Sequence, residues 1–375
     1  MIVMALDHVR DYFHQGAFLY DPLDLEKTGR ILFFTRWITH FCAPVFMFLA
    51  GTSAAIVGQR KPRKELSLFL LKRGLWLIFL ELVVVNFGWN FAVNFPSILF
   101  IVIWALGISM VALAAIIHLP KSMILVAGAL IVGGHNLLDG VHVAGNNAAA
   151  FGWSLVHDPN FFTWQNKNVF VGYPALPWIG VMTLGYSLGQ LYQPSFDSFK
   201  RKRILLALGF SAIILFTLLR WSNLYGDSAH WSPQASAFQT FLAFLKTSKY
   251  PPSLLYVLMT LGPALIFLAF TEKANGRVTG IISVYGRVPM FYYLLHIYLI
   301  HLLAMLFTAA FTHLDWKIWI LQQPVWFNEK LQGYGFPLVV VYLVWMGVVA
   351  GLYPLCKWYD RYKQQHKEKW WLSYL

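Results

Sequence analysis

Charge is what this chain has least of. Only 12% of its 375 residues are Asp, Glu, Lys or Arg, about half the fraction of a soluble domain. With 58% hydrophobic residues and a mean hydropathy of +0.57, a water-soluble globule is excluded and a polytopic membrane protein is implied. Cysteine is nearly absent. Cys42 and Cys356 lie far apart in or beside apolar runs, which excludes a disulfide framework or a cysteine metal cluster. A Walker loop and an H-E-x-x-H zinc motif are missing. The histidines form no compact metal motif, although three from different helices could still meet, and no metal is expected. There is no internal repeat. Acidic residues number 16 against 29 Lys and Arg, for a net charge of +13. That surplus does not indicate nucleic acid, because it lies in short loops between apolar spans, as the positive-inside rule expects.

The apolar runs divide the chain into about ten helices, all but the first near the ~20 residues needed to cross a bilayer. The first ends at about His14. The next are about Arg36–Val57, Leu66–Trp89, Ile98–His118, Met123–Leu138, Ala175–Tyr192, Ile204–Trp221, Pro252–Phe270, Ser283–Phe307 and Pro337–Cys356. The fold expected is therefore an all-α bundle forming one domain over 1–375. Long outer loops fall at about 139–172, 222–250 and 308–336, and a basic tail at about 357–375. Arg60–Lys64 (RKPRK), Lys121, Phe199–Arg203 (FKRKR), Lys273 with Arg277, and the tail all fall on one side, which makes that side cytoplasmic. Only about six apolar residues precede Asp7, too few for a span. The natural chain is therefore expected to start upstream, with Met1 internal and the first helix truncated. Asn146, Asn147, Trp153, Trp164 and Trp231 in the outer loops suit sugar contacts as well as an ordinary interfacial loop.

The first helix, MALDHVRDYFHQ, holds the richest chemistry. At ~100° per residue, Asp7, Asp11 and His14 share a stripe, and His8 meets Asp11 three residues on. A histidine with a carboxylate in reach is the minimum for general-base catalysis. His40 lies at the outer end of the second span, one turn after Arg36. Pro44, four residues later, disrupts the bond to the His40 carbonyl. Lys72 and Arg73 lie about two turns in from the cytoplasm, suited either to snorkelling or to an anionic ligand. Glu81 lies near mid-membrane and needs a partner or a proton. The ninth span, GRVPMFYYLLHIYLIH, carries Arg287, Tyr292, His296 and His301, more polar groups than packing requires. An intramembrane path of His8, His40, Glu81 and His296 would also suit a proton-coupled transporter or channel. The repeats and paired broken helices common in transporters are missing.

The segments ALDHVRDYFH, THFCAPVFMFLAGTSA, LPWIGVMTLGY and GRVPMFYYLLHIYLIH, in this order, resemble the transmembrane acyltransferases typified by heparan-α-glucosaminide N-acetyltransferase and its bacterial relatives. The pattern also looks like the bacterial O-acyltransferases of sugars. Such members usually begin with an Arg-Gly pair about ten residues before the position of His8, and this chain starts just after that point. The resemblance implies an acyltransferase that takes acetyl-CoA or another acyl-CoA from the cytoplasm and acylates an extracytoplasmic glycan or sugar, at an amine or hydroxyl. It implies His8 as the catalytic histidine, as base or acyl carrier, with Asp7 as its acidic neighbour. In the animal enzyme the histidine lies nearer His14, so both remain candidates. Asp11 would orient the base, and His40 and His296 would line the transfer point. Lys72, Arg73 and Arg287 would hold the CoA phosphates. Further expected partners are membrane lipid and, in a homodimer, a second copy of the chain. The expected location is a bacterial inner membrane, with the C-terminus cytoplasmic.

Overall fold

The computed structural model describes residues 1–369 and 372. Of the expected tail at 357–375, residues 370, 371 and 373–375 lie outside the described residues, and the rest begins as helix. The helices are α1 (Ile2–Phe13), α2 (Arg30–Thr39), α3 (Cys42–Gly58), α4 (Arg63–Leu80), α5 (Asn86–Asn90), α6 (Val102–Ile116), α7 (Lys121–Gly134), α8 (Ala148–Val156), α9 (Ala175–Leu188), α10 (Ser198–Ser222), α11 (Ala237–Leu245), α12 (Leu254–Thr271), α13 (Arg277–Arg287), α14 (Pro289–Phe311) and α15 (Leu338–Gln365). Among the described residues, six stretches are long and apolar enough to cross a membrane, α2 and α3 counting together as Arg30–Gly58. The chain is an all-α polytopic membrane protein.

The remaining expected spans are shorter or more polar, and they pack among these six. α3 lies on α9, α4 on α6, and α7 on α9. The crossings are built on glycine. A Cβ at Gly185 would fall on the Phe48 carbonyl, and one at Gly51 on that of Met182. A Cβ at Gly74 would come within 2.6 Å of the Gly107 carbonyl oxygen, and one at Gly107 within 2.7 Å of that of Gly74. Small residues let backbones meet this closely where lipid gives helices no hydrophobic reason to associate.

Three expected spans are broken: the ninth divides at Val288 into α13 and α14, ahead of Pro289, and the second and third break for local reasons. The second bends at His40–Phe41, between α2 and α3. There Pro44 frees the His40 carbonyl, which accepts a 2.7 Å hydrogen bond from the Tyr256 hydroxyl. The third passes from α4 through a π-helical turn, Glu81–Val85, into α5. Glu81 opens that turn, and its Oε2 accepts from the Ile103 and Trp104 amides at 2.8 and 2.9 Å. It thereby caps the amino-terminal end of α6, where free N–H groups favour a carboxylate.

The outer loops carry structure that apolar runs do not announce. Loop 139–172 contains α8 and a hairpin of β2 (Asn160–Trp164) and β3 (Lys167–Val171), turned at Gln165 and Asn166, both with positive φ. β1 (Ser97–Phe100), expected as the start of a helix, pairs parallel to β3. Loop 222–250 contains α11. Loop 308–336 includes short 3-10 turns, and its end returns to α1, where Phe336 N donates to Phe13 O at 2.7 Å.

α1 is enclosed by α2, α14 and α15. From Met4 to His14, His8 alone is not fully buried. The helix holds its charges inside the protein, which lipid could not tolerate.

Candidate active site

The open side of His8 faces a cavity of about 690 Å³. α1 contributes Asp7, His8, Arg10 and Asp11 to its wall, and α2 Arg36. His40 lines it at the break between α2 and α3, and Lys246–Tyr250 form a further part of the rim. Trp89, Tyr173, Tyr293 and Trp326 supply aromatic faces.

His8 Nδ1 lies 2.7 Å from His296 Nε2, and the two rings stack with centroids 4.9 Å apart. His296 Nδ1 lies 2.9 Å from the Tyr292 carbonyl. A carbonyl only accepts, so His296 Nδ1 carries hydrogen and its Nε2 carries a lone pair. The proton between the rings therefore belongs to His8 Nδ1. That leaves the lone pair of His8 on Nε2. The tautomers follow from the acceptor that ends the chain, the logic by which histidine orientation is assigned. Trp89 meets the His8 ring edge-on at 5.1 Å.

The carboxylates do not orient His8. Asp7 accepts from Arg36 Nη1 at 2.6 and 2.8 Å and from Arg10 Nη2 at 2.8 Å. Lys249 Nζ lies 3.9 Å from it. Asp11 accepts from Arg10 Nη2 at 2.7 Å. The expected contact of His8 with Asp11 fails because Arg10, between them in sequence, gathers both carboxylates. Arg10, Lys249, Tyr250 and Trp326 were not among the expected site residues. Arg10 stands beside the Asp/His stripe and does not belong to it. The others lie in loops that offer no periodicity.

His40 sits at the cavity wall, fully buried. Among the described residues, neither of its ring nitrogens has a hydrogen-bond partner. His14 is turned away: its Nδ1 accepts from Gly16 N at 3.1 Å, and it does not line the cavity. His301 is wedged between the carbonyls of Gly88 and Trp319, at 2.9 and 2.8 Å. Arg287 pairs with Asp360 of α15, at 2.7–3.0 Å. Arg73 lies over the Phe69 ring at 5.9 Å and close enough to Lys363 to act on its charge. Lys72 is exposed on α4. Arg73 and Arg287 thus both reach the carboxyl end of α15, while His8 and His40 line the cavity and His296 stands behind His8, outside the lining.

The outer-loop residues that suit sugar contacts or an ordinary interfacial loop make hydrogen bonds within the loops. Trp153 Nε1 donates to Val141 O, Trp231 Nε1 to Arg220 O and Asn146 Nδ2 to Thr163 O, while Asn147 caps α8. Gly185–Gly189 reads G-Y-S-L-G, the spacing of a nucleophile elbow, but it lies in α9 and the 3-10 turn after it, not on a strand-to-helix turn. Ser187 Oγ donates to Thr183 O, and Gly185 and Gly189 meet the α3 backbone.

The fold and site define an integral membrane protein with a buried histidine pair opening on one cavity. The family described as heparan-alpha-glucosaminide N-acetyltransferase, catalytic, matches residues 1–223, more than half the chain, and the chain belongs to it. It is therefore a member of a transmembrane acetyltransferase family. No curated protein and no solved structure gives a match.

Proposed function

We propose that this chain transfers an acetyl or other short acyl group from acyl-CoA to an amine or hydroxyl of a sugar held in the cavity, using His8 Nε2. The observation that carries the reading is the relay from the Tyr292 carbonyl through His296 to His8. It fixes a basic nitrogen facing a cavity of about 690 Å³, within the roughly 300–1,000 Å³ of small-molecule sites. Nε2 takes the proton of the acceptor as its nitrogen or oxygen attacks the thioester carbonyl. The C–S bond breaks, and the CoA thiolate leaves with a proton returned from His8. If Nε2 attacks the thioester itself, the same lone pair makes His8 an acyl carrier. Trp89, Trp326 and Tyr250 give flat apolar faces against a sugar ring, and the Asp7 and Asp11 oxygens give acceptors for its hydroxyls.

The donor is read from the opposite end. Lys72, Arg73 and Arg287 would hold the CoA phosphates as fixed positive charges. The Tyr285 and Tyr292 rings, with centroids 5.0 Å apart, lie between Arg287 and the histidine pair, and the pantetheine arm would pass beside them. The basic end faces the cytoplasm by the positive-inside rule, with the C-terminus there, in a bacterial inner membrane. The whole chain serves as one catalytic domain, in contact with membrane lipid and alone or as a homodimer. A transporter reading loses Glu81, whose Oε2 is engaged at the α6 amides.

The test uses the purified full chain in detergent with labelled acetyl-CoA and a panel of amino sugars. CoA release and acetyl transfer are expected, falling roughly 10²–10⁴-fold in His8→Ala, the span ordinarily due to a general base. Label retained on the protein without acceptor would mark the carrier route. Failure of the wild type to bind any acyl-CoA, or full turnover in His8→Ala, would overturn the proposal.

A further inference from the structure

Three side chains outside the cavity pose a separate problem. α7 ends in a 3-10 turn, His135–Leu138, followed by Asp139, and α8 ends just before His157. His135 and His157 are 2% and 1% exposed. Among the described residues, neither ring nitrogen of His135 has a partner, nor does Nδ1 of His157. A buried imidazole stripped of water and given no hydrogen bond is costly unless something absent from the protein chain satisfies it. One ligand atom from each of His135, Asp139 and His157 lies within 4.8 Å of the others.

The surroundings already hold the carboxylate in place. His157 Nε2 lies 3.0 Å from Asp139 Oδ1. Asp139 Oδ2 accepts from Asn136 Nδ2 at 2.8 Å, and Asn136 Oδ1 in turn accepts from Leu254 N at 2.8 Å. A ligand carboxylate fixed by an amide behind it is the outer arrangement that metal sites use.

We propose that His135, Asp139 and His157 form a site for a divalent transition metal of the zinc class, separate from the acyl-transfer cavity. Two imidazoles and a carboxylate are borderline donors of the kind zinc takes. Tetrahedral ligands at about 2.1 Å from a metal sit roughly 3.4 Å apart, so small rotations of the two rings close the triad. The Asp139–His157 hydrogen bond is then exchanged for two metal bonds, and His135 gains the partner it lacks. Water completes the fourth position. None of the three residues lines the cavity, so the metal acts on the fold and takes no part in the transfer there. It staples the end of α7 to α8 and so fixes the outer loop whose β3 leads into Phe170–Tyr173 of the cavity wall. Through Asn136 it also reaches the start of α12, just after Lys246–Tyr250.

The experiment uses the tag-free full chain in detergent, stripped with a chelator, desalted and reloaded with Zn²⁺ or Co²⁺ alone. Elemental analysis should find one equivalent of zinc per chain, and cobalt should give the intense visible bands of a tetrahedral N/O site. Zinc should raise the melting temperature of the wild type by a few degrees. His157→Gln and Asp139→Asn, which keep volume and some hydrogen bonding, should lose the cobalt bands and the zinc-dependent rise. Absence of bound zinc and of cobalt bands in the wild type overturns the proposal even if the variants fail to fold. Metal retained equally by both variants overturns it as well.

Discussion

His8 owes its orientation to a residue 288 positions away, and that has a consequence for rate. His296→Phe removes the acceptor for His8 Nδ1–H while keeping an apolar ring of similar size. His8 is then free to present N–H rather than a lone pair to the cavity. We expect turnover to fall roughly 10²-fold or more, since a wrongly held tautomer costs up to ~10⁴ in the histidine relay of serine proteases, with KM for acyl-CoA unchanged. Steady-state kinetics decide it, and a change confined to KM would show that His296 serves donor binding instead. Asp7→Asn should act on stability. It leaves Arg36 and Arg10 facing each other without their shared countercharge, and breaking a buried pair costs about 3–5 kcal/mol. A melting temperature equal to wild type would refute that role. At this scale the sequence showed that the first helix gathers ionisable side chains. It did not show their pairing, because spacing along one helix reveals neighbours at three and four residues but not which of two competing partners, Arg10 or His8, a carboxylate selects.

Helix crossings carry the next consequence. A methyl at Gly185 would overlap the Phe48 carbonyl, a backbone atom that cannot rotate aside, so Gly185→Ala must push α9 from α3. Gly347, inside α15, has open space where a Cβ would stand, and there alanine removes only the flexibility of glycine. Thermal melts in one detergent should show Gly185→Ala well below wild type and Gly347→Ala equal or slightly above. Equal melting of the two variants would mean that the crossing is looser than its glycines indicate. The helices themselves were readable, since most expected spans overlap an observed helix. Their interruptions were only partly so. Pro44 announced the break at His40, whereas the turn at Glu81 depends on the α6 amides some twenty residues later. The strands were hidden because five-residue segments such as Asn160–Trp164 are too short to separate from an aromatic loop.

The molecule as a whole has two unlike ends. α3 runs from Cys42, beside the cavity residue His40, to Gly58 and the RKPRK loop. α12 runs from Leu254, beside the cavity loop Lys246–Tyr250, to Thr271, where Glu272 pairs with Arg201 at the start of α10. Lys61, Lys121 and Gln193 line one common depression, so the basic loops gather at the end away from the cavity. The alternation of charge in the sequence already indicated this arrangement, because bilayer insertion reads loop charge without reference to packing. If the basic end is cytoplasmic, a membrane-impermeant maleimide on intact cells should label a cysteine placed at Leu19 on the cavity rim, which is 59% exposed. It should label one at Arg60 only after the cells are opened. Cys42 and Cys356, half-buried and buried, are first replaced by alanine. Labelling of Arg60→Cys in intact cells would reverse the topology. It would place the cavity on the side where acyl-CoA is made, and transfer across the membrane would no longer be required.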